Sequence, residues 1–156
     1  MSFRISSLPV EPFKALFGLS DDELLKQGAR RAVADAQPGY PCRVTLADAE
    51  PGESLILLNY RHLAEESSPY RAEGPIFVRE GATGGVTVED QVPDYLATRM
   101  LSIRAYDREG MMLDADVVDG ATLAPTIDRM FADGDVAYLH AHFAKRGCYA
   151  ARIDRA

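Results

Sequence analysis

Apolar and polar residues alternate most clearly near the C-terminus. Between positions 136 and 144, Ala137, Leu139, Ala141 and Phe143 form one set, and Val136, Tyr138, His140, His142 and Ala144 form the other. Alternation of this kind predicts a strand with two unlike faces. Lys145-Arg146-Gly147 interrupts the pattern and Cys148 to Asp154 resumes it. The segment therefore reads as a hairpin with a three-residue loop and Gly147 in the left-handed position. That register sets His142 opposite Ala150, His140 opposite Arg152 and Tyr138 opposite Asp154. It gathers the polar groups on one face and puts Leu139, Phe143, Tyr149 and Ile153 on the other. A loop one residue shorter would bring Tyr149 beside the histidines and mix the two sets, so the apolar pattern favours the longer loop.

The stretches 99–107 and 111–119 alternate in the same way around Arg108-Glu109-Gly110. With Asp107 facing Met111, Arg104 falls opposite Asp114 and Ser102 opposite Asp116, and the charge pair supports that register. Shorter strands are expected at 29–34, at 42–46 with Cys42, Val44 and Leu46 inward, and at 75–78. Leu55-Ile56-Leu57-Leu58 is apolar on both faces and predicts a covered central strand. Glu50-Pro51-Gly52-Glu53 has the residues of a type II turn. Helices are expected at Glu11–Phe17, with Pro12 early and Gly18 beyond its end, and at Ser20–Gln27, opened by a Ser20/Glu23 capping box and a Leu19–Leu24 staple. A third is expected at Thr122–Ala132, where Leu123, Ile127, Met130 and Phe131 make one stripe. Pro93 to Thr98 suits a single helical turn. Tyr60 to Gly74 has no sustained period and reads as a long loop, a candidate lid.

These elements predict one α+β domain over residues 1–156. It should be a mostly antiparallel, twisted sheet of about six to eight strands, with about three short helices packed on one face. Composition changes this picture little. The chain has 156 residues, 47% hydrophobic and 26% charged, as in an ordinary soluble domain. The net charge of −7 argues against nucleic-acid and anionic-membrane partners, which call for a basic face. No apolar run suits a signal peptide or a membrane span. Two cysteines make no disulfide framework, so a cytoplasmic protein with free thiols is the expectation.

Several segments together resemble a known family: Gly39-Tyr-Pro-Cys-Arg43, Asn59-Tyr-Arg-His62, Ser68-Pro-Tyr-Arg71, Gly74-Pro-Ile-Phe-Val-Arg79, Gly110-Met-Met-Leu-Asp-Ala-Asp116, and Tyr138-Leu-His-Ala-His142 through Lys145-Arg-Gly-Cys-Tyr-Ala-Ala-Arg152. The chain is similar over almost its whole length to the bacterial domain of unknown function 1203. The resemblance implies a bacterial, cytoplasmic, single-domain protein. It carries no activity, substrate or cofactor.

The candidate chemistry lies on the polar hairpin face. His140 and His142, two apart on a strand, point the same way and suit a transition metal. No third or fourth ligand can be placed, so no metal is assigned and no cofactor is expected. Cys148 beside His142 suggests a nucleophile and its base, with Lys145 and Arg146 favouring a thiolate. The plainer reading of either cysteine is a small buried hydrophobe. Arg43, Arg104, Arg152, Tyr70, Tyr138, Asp114 and Asp116 complete the candidate set, the arginines offering planar forks for a carboxylate or phosphate. The competing reading is a solvated sheet face. The expectation is a small anionic ligand on this face, bound and acted on by histidine acid–base chemistry. The alternative is a non-catalytic protein-interaction or homo-oligomerising module. A concave pocket with histidines and an arginine favours the first, and a flat apolar patch the second.

Overall fold

The computed structural model describes residues 1–156. Its strands are β1 (Phe3–Ser6), β2 (Arg30–Val33), β3 (Pro41–Cys42), β4 (Ala47–Asp48), β5 (Ser54–Leu63), β6 (Ala72–Arg79), β7 (Thr87–Glu89), β8 (Met100–Tyr106), β9 (Met112–Asp119), β10 (Tyr138–Phe143) and β11 (Tyr149–Arg155). The α-helices are α1 (Asp21–Lys26), α2 (Asp94–Ala97) and α3 (Leu123–Phe131), with 3-10 turns at Glu11–Leu16 and Gly120–Thr122. The α+β, mostly antiparallel architecture is as expected. The strands divide between two sheets, ordered β7-β1-β11-β10-β8-β9 and β2-β5-β6-β3-β4. No helix is long and apolar enough to cross a membrane.

The six-stranded sheet has a core on one side. Leu101, Ile103 and Ala105 of β8, Leu139, Ala141 and Phe143 of β10, and Ile153 of β11 pack there against Leu123, Ile127, Met130 and Phe131 of α3. The apolar stripe of α3 thus lands where its spacing predicts. Thr122 does not cap it by side chain; Asp119 caps the preceding 3-10 turn through the Ala121 amide. The five-stranded sheet covers the other side. Ile76 and Val78 of β6, with Leu58 and Tyr60 of β5 alongside, meet Tyr149 of β11. The face that alternation marks as polar and solvated is therefore roofed by a second sheet.

The first turns behave as their residues dictate. Ser20 accepts the Glu23 amide at 3.2 Å, and Gly18 (φ 78°) and Gly52 (φ 92°) occupy left-handed positions. The expected strand 42–46 is only two residues long before it turns, with Leu46 at φ 51°. Cys42, Val44 and Leu46 are buried nonetheless, and so is Arg43.

Both long hairpins carry a bulge. In β8–β9, Asp107 meets Met111 and Tyr106 meets Met112 as predicted. One extra residue then shifts the ladder, so Arg104 pairs with Ala115 and Ile103 with Asp116. The predicted Arg104–Asp114 and Ser102–Asp116 pairs do not form. Asp114 and Asp116 instead accept from Arg129 of α3, each at 3.0 Å. In β10–β11, His140 lies opposite Arg152 as predicted, but a bulge past Ala141 places His142 opposite Tyr149 rather than Ala150. Ala150 and Ala151 both join the α3-side core, and Tyr149 crosses to the histidine side.

A half-buried acid ties the five-stranded sheet to the N-terminal turns. Glu80 accepts from Arg31 Nε (3.0 Å) and Nη2 (2.9 Å), Ser54 Oγ (2.7 Å) and the Gly18 amide (2.8 Å). The Arg31 hydrogen bonds hold its carboxyl down to about 2. A depressed carboxylate contributes stability that is present above its unfolded value of 4.5 and lost as pH falls toward 2. Glu80→Gln should lower stability at neutral pH and flatten the loss between pH 4.5 and 2 in urea melts; an unchanged slope would refute this. Of the apolar β5 run, Leu55 and Ile56 are fully buried, while Leu57 and Leu58 are only half-buried. Ile56→Ala should cost about 2–5 kcal/mol, and Leu57→Ala distinctly less, by the same measurement.

Candidate functional site

β5 continues through Leu63, so the expected loop at 60–74 shrinks to 64–71 and His62 becomes a strand residue. Leu58, Tyr60 and His62 share the face of β5 that looks toward the six-stranded sheet. This delivers the third histidine to the other two. The ring centres of His62 and His142 are 4.9 Å apart, those of His62 and His140 6.0 Å, and those of His140 and His142 6.3 Å. Tyr149, carried over by the bulge, stacks on His62 at 5.4 Å and 9° and meets His140 edge-on at 5.1 Å. The aperiodic run 60–74 predicts a loop at His62, whereas it lies in β5. The signal that marks it is the alternation of Leu58, Tyr60 and His62 against Asn59 and Arg61, continuing the strand past its apolar run.

The histidines are enclosed. His140 is 3% exposed and His142 1%, and His62 is half-buried. His142 Nδ1 lies 2.9 Å from the Gly147 carbonyl. A carbonyl only accepts, so Nδ1 carries the proton and Nε2 presents a bare lone pair. That Nε2, His62 Nδ1 and His140 Nδ1 are buried without a hydrogen-bond partner. Burial pushes His62 down to about 4, with the Arg104 charge adding to it. Burial, then His142, His62, Arg152 and Arg104, push His140 to about 2. Burial lowers His142 to about 3, against the opposing bond to Gly147. All three rings are neutral at pH 7. No group of three or more His, Cys, Asp or Glu side chains is gathered tightly enough to be a ready metal cage.

A cleft of about 400 Å³ opens onto this cluster. His62, His140, Tyr138, Arg152, Arg108 and Glu65 are among its lining residues. Tyr138 stacks on Tyr106 at 5.4 Å, and the Arg152 guanidinium lies 4.2 Å over the Tyr138 ring while bonding Asp154. The rim is fastened. Ser68, fully buried, donates to the Gly110 carbonyl at 2.7 Å and accepts the Tyr70 amide at 3.0 Å. Loop 64–71 is thereby pinned to the β8–β9 turn.

The structure does not bring every candidate here. Asp114 and Asp116 lie on the helix side of β9, paired with Arg129. Arg104 stays on the histidine face without its predicted carboxylate, its Nε donating to Ser102 Oγ at 3.3 Å. Arg43 is 1% exposed and donates to the Tyr149 carbonyl (2.8 Å), the Pro41 carbonyl (2.6 Å) and Cys148 Sγ (3.2 Å). Cys148 packs toward the α3-side core, and no hydrogen bond joins it to His142, whose free Nδ1 proton goes to Gly147. Both cysteines are free thiols. Tyr70 is exposed and meets Tyr106 edge-on at 6.5 Å.

The family model described as "Protein of unknown function (DUF1203)" matches residues 39–155. The chain belongs to the DUF1203 family. No curated protein matches it, and no solved structure does. The DUF1203 span holds all three histidines, Tyr149, Arg104 and Arg152, and omits β1, α1 and β2.

The depressed rings of this DUF1203 chain make its stability acid-sensitive. A histidine whose folded value lies below 6.5 contributes stability that is full above pH 6.5 and lost as pH falls toward the folded value. Between pH 6.5 and 4.5, above the Glu80 window, each ring should contribute a slope of up to ~1.4 kcal/mol per pH unit. Urea melts in chelating buffer should show stability falling across that interval, with His140→Gln reducing the slope. A flat profile would mean that the rings are hydrated.

Proposed function

We propose that this DUF1203 chain is a small-molecule protein whose cleft takes a compact anion, a carboxylate or phosphate, and acts on it by histidine acid–base chemistry. The observation that carries the reading is the cleft floor. Neutral His62 and His140 sit there under the positive fields of Arg104 and Arg152, while Asp114 and Asp116, the acids expected opposite, are held away by Arg129. A concave, partly enclosed site with convergent polar groups is where small ligands bind. Glu65 at the rim and Asp154 on Arg152 limit the positive field to the inner part of the cleft.

An anion seated against His62 and His140 favours their protonated forms and raises both values from their depressed state. Binding thus moves each ring toward the range in which it can hold and return a proton near neutrality. The two free thiols fit a bacterial cytoplasmic setting.

The test is an NMR titration of the histidine ring protons with phosphate and a panel of small carboxylates, in chelating buffer. Binding should shift the His62 and His140 signals and raise their values. Arg152→Gln should weaken the Kd by roughly 10–150-fold, the equivalent of about 1.5–3 kcal/mol for a charged hydrogen bond. Arg129→Gln, outside the cleft, should leave it unchanged. Rings unmoved by every anion would defeat this reading and favour an interaction module.

A further inference from the structure

We infer that His62, His140 and His142 form a binding site for one divalent transition-metal ion, such as zinc, beside the cleft. The juxtaposition comes from two strands of opposing sheets. β10 supplies two rings from one face, and β5 of the opposing sheet supplies the third. Each ring has one buried nitrogen without a partner: His62 Nδ1, His140 Nδ1 and His142 Nε2. A buried polar atom left unpaired is destabilising. Three in one small volume call for a group that satisfies them together, and a Lewis acid does so.

The ligand chemistry fits. His142 donates its second ring N–H to a backbone carbonyl, the outer-shell bond that fixes the tautomer of metal-binding histidines and aims the other nitrogen's lone pair. A metal takes a bare imidazole nitrogen, and each ring offers one that is buried and unpartnered. Three nitrogen ligands without thiolate or carboxylate match a zinc-type site that keeps a position open. Arg43 occupies Cys148, so the thiol is not a fourth ligand. His62 and His140 also line the cleft, so the ion would lie beside it, behind their buried nitrogens.

The spacing is close to what an ion needs. With metal–nitrogen bonds of about 2.0–2.1 Å, three imidazoles on one tetrahedral ion have ring centres roughly 5 Å apart. His62 and His142 are already at 4.9 Å. His140, at 6.0 and 6.3 Å, has to approach by roughly 1 Å to reach that spacing. As they stand, no three such side chains are placed to hold a metal ion, so the site forms only if His140 moves in. The alternative occupant is a buried water bridging the same nitrogens, which predicts no saturable metal binding.

The experiment uses the full chain without a histidine tag, stripped with chelator and titrated with Zn(II) alone and Co(II) alone in an anion-poor buffer. Calorimetry should show one ion per chain, and Co(II) should give the intense visible absorption of a four-coordinate site. His62→Asn, His140→Asn and His142→Asn should each weaken binding by more than the roughly 10–100-fold that loss of an outer-shell partner costs. An Asp114→Asn/Asp116→Asn double variant should bind as the parent does. Where a variant of a buried histidine loses its far-UV circular dichroism, His62→Asn decides, because His62 is only half-buried. No saturable binding, or binding indifferent to His62→Asn, or binding lost in the aspartate variant, would overturn the site. The inference does not depend on the anion reading, which concerns the metal-free rings, because a ring nitrogen that holds a metal takes up no proton: the anion titration runs in chelator and the metal titration without added anion, so each fails separately.

Discussion

The Arg43 guanidinium is the interaction on which the site depends. It sits between the two sheets with almost no exposure and no carboxylate partner. Its donors reach the Pro41 carbonyl on its own side, and the Tyr149 carbonyl and Cys148 sulfur across the gap, while its plane lies 5.1 Å from the centre of the Phe143 ring. A buried charge is tolerated when its hydrogen bonds are satisfied, and it resists movement of whatever satisfies them. Here that is the main chain at the start of β11, beside the bulge. Holding the Tyr149 carbonyl toward Arg43 leaves the Tyr149 ring free to lie on His62. A lysine, a point charge without the planar fork, would not reproduce the three directed bonds.

The histidine cluster shows how burial and charge act together. Desolvation is the first cause of each depressed value, and nearby arginines push the same way. The chain as a whole is acidic, with a net charge of −7. Of its acids near this region, Asp154 pairs with Arg152, Asp114 and Asp116 pair with Arg129, and Glu65 stands at the rim. The interior is therefore neutral rings under a positive field, inside a negatively charged molecule. On the anion reading proposed above, such a local reversal would steer a small anion to one place rather than to the surface at large.

Much of the fold was legible because its signals are local. Gly110 and Gly147 both adopt the left-handed turn conformation that their hairpins require, the α3 stripe packs where its spacing directs it, and His140 pairs with Arg152. What was not legible is a matter of parity. A strand has period two, so one extra residue reverses every assignment beyond it. Neither bulge is marked by a glycine or proline: the extra residues fall at Met112–Asp114 and Tyr149–Ala151. One bulge removes two aspartates from the face of Arg104; the other adds a tyrosine to the face of the histidines. The second gap is tertiary. Alternation shows that a face is polar but not what covers it, and the partner sheet comes from strands with weak signals of their own, such as the two-residue β3 and β4.

The bond from Ser68 to Gly110 has a consequence for how the cleft works. A segment of this kind is the usual material for a mobile flap, and enzymes with such flaps often turn over no faster than the flap opens. Here a fully buried hydroxyl nails the segment to a neighbouring turn, and Gly110 leaves little room beside it: a side chain there would meet Ser68 Cβ at 3.2 Å. The ordering of the rim is completed when the chain folds, so a guest does not have to freeze it on arrival. Such an opening behaves as a fixed mouth. For the ligand proposed above, selection would rest on size and shape at first encounter, with traffic set by diffusion and release rather than by a gate.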